Sequence, residues 1–324
     1  MKDLKDCKIL VTPTSFGSQD PKIKIDLENL VDEVVYNTTG KPLNSGQLQN
    51  LLADVDGYIA GLDEIDAEAL ASAPNLRVIA RYGVGYNNVD LSAADKQGII
   101  VTNTPGANAI AVAELTVGLI LNMLRPIIPA VQRTKSGEWP RFKGYSLEGK
   151  TVGLLGLGAI GKEVARRLIG FGCNILAYDL YPDEKFTAEH GIKLALLDDI
   201  LPAADILSLH LPGTPETIGM VNGEFINKMK SGAWLVNTAR GDLIDQAALL
   251  QALEAGKLRG AALDVYPEEP PAADSPLFKL EQVITTPHMG AHADSAANLM
   301  GSMAVEECLR VLKGEKPKYQ VKQG

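Results

Sequence analysis

The feature that most constrains this chain is a run of six residues, Gly156-Leu157-Gly158-Ala159-Ile160-Gly161. It follows an apolar stretch of strand character, Thr151–Leu155, and opens a helical stretch reaching about Phe171. A first glycine permits a tight turn, a second lets a ligand approach the backbone, and a third lets the helix lie close on the strand. Strand, glycine turn and helix in that order belong to a parallel βαβ unit. Apolar runs recur on both sides of it. Lys8–Val11, Glu33–Tyr36, Gly57–Ala60, 77–81 and 99–102 precede it; Asn174–Tyr178, 205–209, Ala233–Asn237, 260–264 and Val283–Thr285 follow. With helical stretches between them, the rhythm is that of α/β parallel sheets joined by crossover helices. Long helices are expected at Ala109–Leu124, stopped by Pro126 and read as a crossing between domains, and at Asp294–Leu312, followed by a polar tail from Gly314.

Composition narrows the class further. A chain of 324 residues exceeds what one hydrophobic core usually serves, so two domains are expected. Its net charge of −9 argues against broad electrostatic binding to nucleic acid or to an anionic membrane, so an anionic ligand must be held by a local site. Cys7, Cys173 and Cys308 are odd in number and widely spaced, which suggests neither a disulfide framework nor a metal cluster. The N-terminal segment reads as a strand rather than a signal peptide or anchor, and a cytoplasmic protein is expected.

The 156–161 turn would place phosphate charge at a helix N-terminus, where unpaired amides and the helix dipole favour it. Asp179 directly follows the next strand, where a carboxylate accepts hydrogen bonds from ribose hydroxyls and repels a 2′-phosphate. No arginine follows in Leu180-Tyr181-Pro182, so NAD is expected in preference to NADP. Four histidines occur. His288, in Thr286-Pro287-His288-Met289, follows the last strand and stands where a general acid or base belongs. His210 also ends a strand and reads as lining the nicotinamide side, while His190 lies in a polar, solvated stretch. Two further strand ends carry charge, Asn237-Thr238-Ala239-Arg240-Gly241-Asp242 and Asp264-Val265-Tyr266-Pro267-Glu268-Glu269-Pro270. A guanidinium can grip a carboxylate and a carboxylate can orient an imidazole, although each feature alone is equally compatible with a surface ion pair.

Taken together, the 156–161 turn, the segments 237–242 and 264–270, and Pro287-His288 resemble the D-isomer-specific 2-hydroxyacid dehydrogenase family. The likeness extends to Arg81-Tyr82-Gly83-Val84-Gly85-Tyr86-Asn87-Asn88-Val89-Asp90, to Asn103-Thr104-Pro105-Gly106 and to Val112-Ala113-Glu114-Leu115-Thr116. The resemblance implies a Rossmann NAD-binding domain at 104–291 inserted into a flavodoxin-like substrate domain at 1–103 and 292–324, with the reaction in the cleft between them. It implies that Arg240 holds substrate carboxylate and carbonyl oxygens, that His288 passes the proton and that Glu269 sustains the imidazolium. Gly156, Gly158, Ala159, Ile160, Gly161, Asp179, His210, Thr238, Ala239 and Asp264 would face the cofactor, with Asp264 beside the nicotinamide. Gly83, Val84 and Gly85 would offer amides to the substrate carboxylate.

Family members are usually dimers, and the segment 125–145, with Pro126, Pro129, Trp139, Pro140 and Phe142, suits an extended arm reaching a second copy. Within the family the likeness is greatest to members acting on 3-phosphoglycerate, with hydroxypyruvate or glyoxylate as the competing substrates. Arg81 matches a cationic position in the phosphoglycerate enzymes, but Ala60-Gly61-Leu62-Asp63-Glu64 lacks an arginine usual there and brings two carboxylates toward where a dianion would lie. The alternative of a different kind is an NAD-sensing interaction protein. The short C-terminal remainder leaves no room for an appended regulatory domain, so feedback through one is not expected.

Overall fold

In the computed structural model, which describes residues 2–322, the chain divides into two compact units. One runs up to Asn108 and resumes at Ala291; the other is Ala109–Gly290. The strands of the first are β1 (Lys8–Val11), β2 (Glu33–Tyr36), β3 (Gly57–Ala60), β4 (Val78–Arg81) and β5 (Ile100–Thr102). Those of the second are β6 (Thr151–Leu155), β7 (Asn174–Tyr178), β8 (Lys193–Leu194), β9 (Ile206–Leu209), β10 (Ala233–Asn237), β11 (Leu258–Leu263) and β12 (Val283–Thr285). A last strand, β13 (Gln320–Val321), returns to the first unit.

The first sheet has the order β13-β5-β4-β3-β1-β2, parallel except for β13, which pairs antiparallel with β5. Its parallel strands therefore follow the doubly wound order of flavodoxin-like folds. The second sheet, β12-β11-β10-β9-β6-β7-β8, is parallel throughout and reverses direction at β6, as in a Rossmann fold. Strands β3, β4, β9 and β10 are buried along their whole length, which explains their continuous apolar character: parallel strands are covered on both faces. Helices between them start where sequence chemistry starts them, with Asp66, Asp90, Asp183, Asn222 and Asp245 each accepting an amide of the first turn.

Three expectations are corrected. The tail after Gly314 is not merely polar coil, because buried Glu307 accepts the amides of Lys318 and Tyr319 and so leads Gln320 and Val321 into the sheet. The segment 125–145 is not extended throughout: Ile127–Lys135 is a helix, although none of its residues is buried. His190 is not simply solvated, since its ring stacks on Phe186 at 4.2 Å and Nδ1 lies 2.9 Å from the Phe186 carbonyl. Helix Ala109–Leu124 opens the second unit, with Ala113, Val117, Ile120 and Leu124 in the same apolar core as Val164 and Leu168 of helix Ala159–Gly170. Among the described residues no single helix is long and apolar enough to cross a membrane, though this helix and Ile127–Lys135 pass that test as a bent pair.

Candidate active site

The 156–161 turn joins β6 to helix Ala159–Gly170, and its glycines are demanded by space. A Cβ on Gly161 would lie 2.2 Å from the Gly156 carbonyl oxygen, and one on Gly156 would lie 2.5 Å from that of His210. Gly156 also has φ of +96°, a conformation that favours glycine. Gly158, by contrast, would direct a Cβ into open space, and it begins the helix without any side-chain cap. The turn thus presents uncapped helix amides next to an unfilled surface, a cradle that fits a dinucleotide pyrophosphate. Ala159 and Ile160 form the first turn of that helix.

Asp179, at the end of β7, accepts the Leu157 amide at 2.6 Å and the Tyr181 amide at 2.8 Å, so its carboxylate is tied to the glycine turn. His210 follows β9 on the other side. Its Nε2 lies 3.0 Å from Ser208 Oγ, while buried Nδ1 has no partner among the described residues. Burial holds the imidazole neutral, with its pKa pushed down to about 4.

A carboxylate–imidazole pair is assembled from two strand-end loops of the same unit. His288 Nδ1 meets Glu269 Oε2 at 2.6 Å, and the other Glu269 oxygen accepts the Tyr266 amide at 3.0 Å. Because a carboxylate only accepts, Nδ1 carries the hydrogen and Nε2 is left to exchange a proton. Burial opposes ionisation of Glu269, but the His288 bond and charge, the Tyr266 amide and Arg240 outweigh it and hold its carboxyl below the usual range. His288 sits at φ +50°, uncommon for a residue with a Cβ, and Asp264 explains what holds it there. That buried carboxylate accepts the Thr286 hydroxyl at 2.6 Å and the amides of Met289 and Gly290 at 2.9 Å each, clamping both flanks of His288. Both oxygens of Asp264 are therefore engaged with the histidine loop, a role not anticipated for a residue expected beside the cofactor.

Arg240 stands in the turn after β10. Buried Asn237 shapes this turn by donating to the Arg240 carbonyl at 2.8 Å and accepting the Ala239 amide at 3.0 Å. Thr238 and Ala239 are themselves largely buried, the Thr238 hydroxyl lying 2.8 Å from that of Thr116. Gly241 brings the arginine and glutamate loops together: a Cβ there would sit 1.9 Å from the Tyr266 carbonyl carbon. Desolvation lowers the guanidinium pKa while the nearby Glu269 and Asp242 carboxylates oppose that shift, so Arg240 is a partly dehydrated cation near Glu269. Asn237, Gly241 and Asp264 are the positions whose structural part the sequence did not reveal. The only hint was glycine directly after the arginine.

In the first unit, Arg81 ends β4 and is 2% exposed; it donates to the carbonyls of Ala60 at 2.7 Å and Gly85 at 3.1 Å. Asp63, expected to crowd an anion, is instead fully buried. It accepts the Leu43 amide at 2.7 Å, the Tyr58 hydroxyl at 2.9 Å, the Gly61 amide at 3.0 Å and the Thr12 hydroxyl.

Residues 117–290 match the model of the D-isomer specific 2-hydroxyacid dehydrogenase NAD binding domain. A D-3-phosphoglycerate dehydrogenase of Archaeoglobus fulgidus is 41% identical over 272 residues, 82% of this chain and 52% of its own length. This chain thus spans about half the length of that relative. A glyoxylate reductase of Thermofilum pendens is 40% identical over 301 residues, covering 90% of this chain and 88% of its own. Among solved structures, the TT0316 protein of Thermus thermophilus superimposes with a TM-score of 0.87 at 36% identity, covering 97% of this chain and 99% of its own. With a glycine cradle that fits a dinucleotide and these relatives on both sides of one family, the chain belongs to the D-isomer-specific 2-hydroxyacid dehydrogenases, and its second unit contains their NAD-binding domain.

Proposed function

We propose that the protein is an NAD-dependent oxidoreductase of small D-2-hydroxy acids and their 2-oxo acid counterparts. The observation that carries this reading is the 2.6 Å bond between Glu269 and His288 beside the Arg240 turn. NADH, when bound, supplies hydride to the C2 carbonyl of a 2-oxo acid. The 156–161 turn holds its pyrophosphate, and Asp179 accepts from the adenosine ribose and disfavours a 2′-phosphate. His288 Nε2 donates a proton to the C2 oxygen as negative charge develops there. Glu269 stabilises the imidazolium, and Arg240 binds the substrate's oxygens and offsets that same charge. In the oxidising direction neutral His288 takes the proton back. Asp264, Asn237 and Gly241 position these groups. The amides of the Gly83-Val84-Gly85 turn are assigned to the substrate carboxylate.

Two substrate readings have support, one from each kind of relative: 3-phosphoglycerate, and glyoxylate or hydroxypyruvate. The deciding assay follows the absorbance of NADH with 3-phosphoglycerate, glyoxylate and hydroxypyruvate in turn. Turnover of any of them supports the dehydrogenase reading. NADH binding without turnover of all three would favour a sensing role instead.

A homodimer is also proposed. Ile127, Ile128 and Val131 on an unburied helix, and Trp139 at 82% exposure, give the segment 125–145 an apolar surface suited to a second copy. Sedimentation showing a stable monomer at micromolar concentration would overturn that assignment. A cytoplasmic setting fits three unpaired, widely spaced thiols, and cell fractionation tests it.

A further inference from the structure

The turn Gly83-Val84-Gly85 is held from behind at every carbonyl. The Gly83 oxygen accepts the Thr104 amide at 3.1 Å, the Val84 oxygen accepts Asn103 Nδ2 at 2.8 Å, and the Gly85 oxygen accepts Arg81 Nε at 3.1 Å. In a trans peptide the N–H of the following residue lies in the same plane and points the opposite way. Fixing these three carbonyls therefore fixes the amides of Val84, Gly85 and Tyr86 on the other side of the turn. Among the described residues none of those three amides is donated to a protein acceptor. Gly83 adopts φ of +152°, and a Cβ there would find nothing closer than Arg81 Nη2 at 3.9 Å. The turn is consequently shaped by the groups behind it and not by crowding.

We propose that Arg81 and Asn103 are positioning residues that aim the amides of Val84, Gly85 and Tyr86 at a carboxylate, and that Arg81 does not itself contact a substrate phosphate. This rests on the dehydrogenase reading for the identity of the anion. The argument for Arg81 is geometric. Its guanidinium is almost wholly buried, and Nη1 bonds the Ala60 carbonyl at 2.7 Å while Nε holds Gly85. Ala60 also accepts the Tyr82 amide at 3.0 Å, so one carbonyl joins the end of β3 to the base of the turn. The neighbouring loop is equally secured, with Asn88 Nδ2 donating to the Asp63 carbonyl at 2.7 Å and the Asp63 carboxylate turned inward. The positive charge of Arg81 thus serves a rigid, buried framework of strand ends. A planar fork that bonds two carbonyls at once is not replaced by an ammonium, whose single nitrogen cannot span both.

Arg81→Lys keeps the charge but loses the fork, and Asn103→Ala removes only the bond to Val84. Each is expected to raise KM for glyoxylate about tenfold with kcat within about threefold, the cost of one mispositioned charge-assisted hydrogen bond. KM for the phosphorylated 2-oxo acid formed from 3-phosphoglycerate is expected to rise by the same factor. Oxalate, a small dianion that cannot be reduced, provides a readout free of turnover: it is expected to slow hydrogen exchange at amides 84–86 in the wild type and not in either variant. An Arg81→Lys enzyme impaired only toward the phosphorylated substrate would overturn the proposal, as would an Asn103→Ala enzyme with wild-type KM and wild-type oxalate protection. A wild type that reduces glyoxylate yet shows no oxalate protection at these amides would sink the proposal and spare the dehydrogenase reading. Oxalate protection lost in both variants, with no turnover of any 2-oxo acid, would support the positioning role and remove the dehydrogenase reading.

Discussion

The glycine turns at 156–161 and 83–85 both stand at the ends of parallel strands, and they owe their glycines to different causes. In the 156–161 turn the cause is space, since added Cβ atoms at Gly156 and Gly161 would overlap backbone oxygens at 2.5 and 2.2 Å. In the turn at Gly83 the cause is conformation, with φ of +152° and open room around the missing Cβ. The first turn is rigid because helix and strand close on it. The second is rigid because Thr104, Asn103 and Arg81 hold its carbonyls. Close packing compels glycine and so shows in one short run, whereas pinning joins two separate segments, 81–85 and 103–104, whose connection no single run displays.

The largest expected effect lies outside both turns and isolates chemistry from binding. His288→Ala should lower turnover by at least about a hundredfold, the lower range for general acid–base catalysis, with NADH affinity nearly unchanged in a fluorescence titration. Near-normal turnover would remove His288 from proton transfer. Glu269→Gln should lower turnover in the same assay, because the imidazole loses the carboxylate that orients it at 2.6 Å, and wild-type turnover would remove Glu269 from that role.

The comparison itself is tested by Gly161→Ala against Gly83→Ala. The first forces helix and strand apart and should weaken NADH binding by about ten- to a hundredfold, consistent with a displaced anion site. The second should leave NADH binding intact and raise the substrate KM. Equal effects of the two variants on NADH would show that the turns are not independent devices.

Asp179→Ala should weaken NADH and relax discrimination against NADPH, read as the ratio of kcat/KM for the two cofactors. A wild type that already uses both equally would refute the ribose assignment.

The smallest effect is on acid stability. Desolvation of its ring pushes the half-buried His210 down to about 4 in the folded protein against an ordinary 6.5, so the unfolded chain binds the proton more readily. Stability is therefore lost as pH falls from about 6.5 toward about 4 and is unaffected by this group above that window. His210→Gln should flatten that part of a denaturation-versus-pH curve, and an unchanged slope would show that His210 is not buried as a neutral ring.

Much of this architecture was legible because parallel strands buried on both faces must be apolar along their length. Strands β1, β2, β3, β6, β7, β10 and β12 and helices Ala109–Leu124 and Asp294–Leu312 have the bounds their periodicity suggests. Shifts of one or two residues occur at four strands: Arg77, Ile99 and Asp205 stand just before β4, β5 and β9, and β11 starts two residues earlier and ends one residue earlier than its run. Strands β8 and β13 went unseen, for two residues cannot show a period, and β13 depends on Glu307, eleven residues from the Lys318 amide it accepts. The segment 125–145 looked extended because of its prolines, yet Pro126 stands immediately before helix Ile127–Lys135.

By itself the sequence determined the alternation of strands and helices and the glycine cradle, each written in local periodicity or in a short motif at a strand end, and only its likeness to a family singled out Arg240, Glu269 and His288. Only the tertiary structure decided what the charged residues between them do. It surrounded Asp63 with four donors and engaged Arg81 with two backbone carbonyls. It also bound Asp264 to both flanks of His288. The physical reason is that a charge in sequence carries no address. Whether a guanidinium or carboxylate meets solvent, ligand or backbone depends on which distant donors and acceptors the fold brings within hydrogen-bond reach, and a buried charge must find them there.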